Sequence, residues 1–219
     1  MKFHAMAVLR QACACAAVAL CSSVLAAPLT TQEIVDLCAD ADDPPHCGKL
    51  IERKRLLAYP TIATREGRTL TLQPRSKREP IPFSDSASRD YSLWDVFDDI
   101  DYVVVWLQEN QSSRYLLVNR VTSLAYELPG EPVPSPDGRY IASADFCAHG
   151  CANELALWEV QGRQLRKAQV HGASAGWMDA AVRWRDAQTL TVEFEIGEGA
   201  KRIGRTLDLS LRDKAWRRL

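Results

Sequence analysis

The chain has 219 residues, 47% of them hydrophobic and 25% charged, with 27 basic against 28 acidic side chains and a formal net charge of −1. That composition excludes a disordered, collagen-like or polytopic membrane protein, and the length suffices for the core of one domain or at most two. The balanced charge gives no reason to expect nucleic acid as a partner.

The first element expected in chain order is an export signal over residues 1–26. Lys2 and Arg10 supply positive charge without an acid, an apolar stretch runs from Ala12 to Ala19, and Val24-Leu25-Ala26 fits a signal-peptidase site. The apolar run is too short for a membrane span. Leu20 is too bulky to precede a lipid-modified cysteine at Cys21. The expectation is therefore a periplasmic or secreted chain with no membrane span. Cys13, Cys15 and Cys21 leave with the signal, so four cysteines remain: Cys38, Cys47, Cys147 and Cys151. An even number in an oxidising compartment reads as two disulfides. Of the three possible pairings, proximity favours Cys38–Cys47 with Cys147–Cys151.

Residues 27–59 read as a helical hairpin. Thr30 or Thr31 can cap a first helix, and Ile34, Leu37 and Cys38 share one of its faces. Asp42-Asp43-Pro44-Pro45 breaks it, and a second helix is expected from about His46, with Cys47, Leu50, Ile51, Lys54 and Leu57 at helical spacing. A Cys38–Cys47 bridge would staple the two.

After Pro60 the period changes to two. Alternation over 69–73, 114–119, 155–160, 190–196 and 207–211 predicts short strands, separated by turn signals such as Pro129-Gly130 and Pro136-Asp137-Gly138. The segment 74–90 reads as a surface loop. Residues 133–143 lie over 182–192 without a gap, at an offset of 49 residues, with Asp137 over Asp186 and Ile141 over Leu190. A weaker third copy places Asp99 and Tyr102-Val103-Val104 over Asp137 and Tyr140-Ile141-Ala142. Spacings of this order, with about four strands per unit, are those of propeller blades.

The stretch Ser135-Pro136-Asp137-Gly138-Arg139-Tyr140-Ile141-Ala142 resembles the S-P-D-G-type signature of TolB and WD40-like propeller repeats. The resemblance covers residues 116–160 well and the remainder loosely, and it departs at Pro134, where an aromatic usually precedes the serine. It implies a mainly β fold of antiparallel propeller-like blades, a partial or small propeller, over 60–219. The motif is structural and implies no activity.

Candidate chemistry is sparse. Cys147, His149 and Cys151 have the residue types of a metal site, but export favours a disulfide closing a hairpin tip. Asp95, Asp98, Asp99 and Asp101 form an acidic run that offers an electronegative patch to a basic partner or a solvated turn before a strand. Trp177 is expected in a loop and is the tryptophan most open to contact. No nucleophile motif, phosphate loop or H-E-x-x-H pattern occurs. The expectation is a non-enzymatic protein-binding module of the envelope without a cofactor, such as an inhibitor or immunity protein against a toxin or hydrolase. An envelope metal-binding protein and a carboxylate-dependent hydrolase stand as alternatives.

Overall fold

Thr30 opens the first helix with a capping box. Its Oγ1 accepts the Glu33 N–H at 3.2 Å, and its own N–H donates to Glu33 Oε2 at 2.9 Å. The computed structural model describes residues 28–75, 78–110, 112–147, 149–171, 176–198 and 201–212. The expected export signal and Trp216 lie outside the described residues. Helix α1 spans Thr31–Cys38 and α2 spans Pro44–Ala58. The second helix starts two residues earlier than its pattern predicts. Asp43 Oδ1 accepts the His46 N–H at 2.8 Å as N-cap, and Pro44 and Pro45 occupy the first turn, where no backbone donor is needed. The Cys38–Cys47 disulfide joins the end of α1 to the start of α2.

Apart from a 3-10 turn at Asp98–Ile100, the regular elements of the rest of the described chain are strands, in four antiparallel sheets of consecutive strands. The first holds β1 (Ala63–Glu66), β2 (Thr69–Leu72) and β3 (Ile81–Ser84). The second holds β4 (Arg89–Phe97), β5 (Tyr102–Glu109), β6 (Ser112–Asn119) and β7 (Ala125–Leu128). The third holds β8 (Val133–Pro134), β9 (Tyr140–Asp145), β10 (Glu154–Gln161) and β11 (Gln164–His171). The fourth holds β12 (Trp177–Asp186), β13 (Thr189–Glu198) and β14 (Lys201–Ser210). Strand β3 and the start of β4 fall where a loop was expected, because Pro82 sits on an edge strand that tolerates a missing donor. No closed barrel or complete propeller ring is present among the described residues.

Successive sheets pack face to face. Leu70, Leu72, Leu93, Val103 and Val118 fill the space between the first and second sheets. Tyr102, Val104, Leu117, Leu128 and Ile141 fill the next, and Ala142, Phe146, Leu190 and Val192 the last. Because the second sheet is covered on both faces, β5 is buried from Tyr102 through Gln108, and its sequence is apolar without a break from Tyr102 to Leu107. Strand β12 has neighbours on one face only and alternates.

The internal repeat maps onto this plan. At the offset of 49 residues β8 falls within β12, and β5, β9 and β13 each stand next to an edge strand of their sheet. Asp137 Oδ1 accepts the Arg139 N–H at 3.2 Å, and Asp186 Oδ1 accepts the Gln188 N–H at 2.7 Å, so both turns are pinned by an aspartate two residues back. Gly138 supplies the φ of +66° that the first of them needs. The Cys147–Cys151 disulfide closes the β9–β10 connection as expected.

The buried face of α2 keeps Ile51 of the predicted set but is otherwise rotated away from it. Leu57 is 85% exposed, whereas Gly48, Ile51, Glu52 and Arg55 face inward onto β4 and β5. Glu52 is only 2% exposed. Its Oε2 accepts the Leu93 N–H at 3.0 Å and Arg65 Nη2 at 2.8 Å, and Arg65 Nε donates to its Oε1. Arg65 Nη1 and Lys49 Nζ both reach Asp85 Oδ2, at 2.9 and 2.8 Å, and Lys49 also donates to the Tyr91 carbonyl at 2.6 Å. Breaking a buried pair by deleting one partner leaves an uncompensated charge. Arg65→Met is therefore expected to lower unfolding free energy by about 3–5 kcal/mol, whereas Leu57→Ser changes it little. Urea denaturation of both variants, read by the midpoint at constant slope, checks this.

Candidate functional site

The described chain has a recess where α1, α2, β4, β9, β12 and the segment 131–134 converge, a cavity of about 420 Å³. Its walls include Ile34, Arg55, Trp94, Asp95, Glu131 and Val182. Two adjacent strand residues, Trp94 and Asp95, both line it, which simple alternation forbids. A β-bulge resolves this. Leu93 pairs with Val105 but Asp95 pairs with Val104, so Trp94 is the extra residue. A second bulge between Met178 and Ala181, with Asp179 at φ +48°, brings Ala180, Ala181 and Val182 together on the opposite wall.

Glu131 reaches the cavity because the chain before it passes against β9. A Cβ on Gly130 would lie 2.0 Å from the Ala144 carbonyl oxygen, so only glycine fits there. Trp94 in turn is held between Trp106 (ring centroids 5.8 Å apart) and Tyr115 (5.5 Å, edge-on). That clamp aims its indole Nε1 at Glu131 Oε1, 2.8 Å away. Asp95 is buried. Its Oδ1 meets Arg55 Nη2 at 3.0 Å and accepts the Val96 N–H at 2.7 Å, while Arg55 Nε donates to the Trp94 carbonyl at 3.1 Å.

Loss of hydration raises the pKa of both carboxyl groups. For Asp95 burial outweighs the opposing pull of Arg55. For Glu131 the surrounding protein outweighs the indole hydrogen bond, and the Asp95 charge adds to the rise. Glu131 is nonetheless an exposed residue at the rim of the cavity. Among the described residues no cation pairs with it, whereas Asp95 has Arg55.

The acidic run divides. Asp95 belongs to the cavity. Asp98 Oδ1 takes Arg75 Nη2 at 2.8 Å and Arg120 Nη1 at 2.7 Å, and Arg75 Nε lies 2.6 Å from Asp101 Oδ1. The hydrogen bond from Arg75 and the two guanidinium charges outweigh desolvation and lower the Asp98 pKa. Asp99 alone of the four is exposed. Trp177 opens β12 rather than standing in a loop. It stacks on Phe194 at 4.2 Å between centroids and tilts against Phe146 at 5.3 Å, because Phe146 and Phe194 present an aromatic surface that a free loop could not leave uncovered. Cys147 and Cys151 are joined, so the metal arrangement with His149 loses both thiolates.

Sequence reasoning missed Arg55 and Glu131. The only local signal for either was Gly130, which reads as a turn until the backbone beside it is known. Neither family models nor curated proteins nor solved structures give a match to this chain. No helix among the described residues is long and apolar enough to cross a membrane.

The shifts have opposite consequences for stability. Protonation favours the folded chain at Glu131, so its contribution is complete below the ordinary carboxylate range and is lost as pH rises through its raised value. Asp98 stabilises above that range and its contribution is lost as pH falls through its lowered value. Accordingly, Glu131→Gln is expected to raise the denaturant midpoint at neutral pH and Asp98→Asn to lower it. Both variants should converge on the parent in acid, as a pH series of midpoints will register.

Proposed function

We propose that this chain is an exported protein of the cell envelope that works as a binding module for a protein partner, without a reaction of its own. The supporting observation is the cavity, walled by three successive sheets and a disulfide-stapled helical hairpin, with an exposed carboxylate, Glu131, that forms no ion pair among the described residues. Concave sites with apolar walls and a few placed polar groups are where ligands seat. Within this reading the consecutive meanders are propeller-like blades, set side by side around a shared recess as blades surround a channel. The aspartate-pinned turns of Asp137 and Asp186 support that likeness. A partner that is an envelope-attacking toxin or hydrolase, held inactive, fits the size, the two disulfides and the recessed site.

The paired carboxyl groups also give the hydrolase reading a foothold. Acid–base chemistry needs two groups whose pKa values are pushed apart, so that one donates a proton while the other stays ionised. Asp95 and Glu131 are pushed the same way, and Asp95 is tied to Arg55. This arrangement favours binding over turnover.

The decisive measurement is capture from the protein's own envelope and culture fluid with the oxidised chain from Ala27 to Leu219, followed by assay of what is captured. One stoichiometric partner whose own enzymatic activity falls on binding is the expected result. Absence of a stoichiometric partner, together with turnover of peptidoglycan or ester substrates that is lost in Glu131→Gln, would replace the module by the hydrolase.

A further inference from the structure

We infer that the cavity beside Glu131 is a receptor for a lysine side chain presented by a protein partner, an inference that rests on the module reading. Its charged lining comprises Arg55, Asp95 and Glu131, and the Arg55–Asp95 pair cancels, leaving one negative charge at Glu131. Taking up an ammonium group at Glu131 restores neutrality in this lining, with apolar walls on the other sides of the cavity.

The shape selects among cations. Glu131 Oε1 is already engaged by the Trp94 indole N–H at 2.8 Å, and Asp95 Oδ1 by Arg55 and Val96. Each carboxyl group therefore has one oxygen without a partner among the described residues, and the two belong to different side chains. A guanidinium gains most from a bidentate fork on a single carboxylate, which is not on offer. A compact ammonium with three rotatable donors can use acceptors from separate groups. The walls from Ile34, Pro132 and Val182 suit the methylene stem, and the Trp94 ring adds an aromatic face. The cavity volume of about 420 Å³ admits one side chain of this length.

Trp94 carries the reporter, because its indole N–H is bonded to the receptor carboxylate. In the whole oxidised chain as exported, the Trp94 indole resonance in a ¹⁵N correlation spectrum is assigned by its loss in Trp94→Phe. The probe is N-acetyl-lysine methylamide, compared with the norleucine and arginine analogues. The lysine compound is expected to move that resonance saturably, with norleucine and arginine each at least about tenfold weaker, as loss of a charge-assisted hydrogen bond implies. Glu131→Gln should abolish the shift while the remaining spectrum stays that of the folded chain. No saturable shift with lysine, an equal shift with norleucine, or an undiminished shift in Glu131→Gln overturns the receptor. A captured protein partner whose affinity is unchanged by Glu131→Gln also overturns it, and leaves the module reading standing. Selective lysine binding without any stoichiometric partner does the reverse, upholding the pocket and removing the module.

Discussion

The side chains that α2 lays along β4 set the geometry of everything else. β4 is the edge of its sheet, and an edge strand presents backbone groups that must find partners or attract another chain. Here Lys49 takes the Tyr91 carbonyl, Glu52 the Leu93 N–H and Arg55 the Trp94 carbonyl, at steps of three along the helix. The same side chains reach outward to Arg65 on β1 and to Asp85 just beyond β3, so one helix clamps the first sheet to the second. The cations Lys49, Arg55 and Arg65 are matched by Glu52, Asp85 and Asp95. Such a set adds little net stability over an apolar replacement, because desolvation consumes most of the Coulomb gain. Its effect is on register, since only one placement of α2 satisfies all three backbone groups of β4.

That register carries through to the recess. With β4 fixed, the bulge at Trp94 turns two neighbouring side chains into one space, and Arg55 arrives beside Asp95 because it is two turns along the helix from Gly48. The second and third sheets are then covered on both faces, which is why Val103, Val104 and Val105 are buried in succession. The fourth sheet has an outward face on which Arg183–Glu193, Arg185–Asp208 and Arg202–Asp179 pair across strands. Those pairs are exposed and contribute little each; they keep the face polar and discourage further stacking.

What was legible in the sequence was whatever depends on near neighbours. A helix cap at Thr30 or Thr31, the aspartate turns at Asp137 and Asp186, both disulfides and the alternating strands each follow from a few consecutive residues. The fate of a polar side chain was not legible, because its partner comes from far along the chain. Asp98 reads as a solvated acid until Arg75 and Arg120 converge on it from separate segments. Leu57 reads as a buried position until Glu52 and Arg55 are seen to take the inner face, a choice made by β4 and not by hydrophobicity. Trp177 reads as a loop residue because Gly176 precedes it, and only the aromatic pair Phe146 and Phe194 explains its place at the head of a strand.

At the recess the packing rules that shape the rest of the described core give way. A fold optimised for stability alone would fill it with apolar side chains, as the spaces between the sheets are filled. Instead Gly130 brings the backbone close to Ala144 and leaves Glu131 beside Asp95, whose charge makes Glu131 harder to ionise. The aromatic clamp on Trp94 then spends its rigidity on orienting a hydrogen bond to that carboxylate. Two bulges, a glycine that tolerates no side chain and a fixed indole all act on the same small volume. Places where a sequence departs from its own packing rules without a compensating structural gain are where function is usually found, and a cation drawn into the recess supplies the missing compensation.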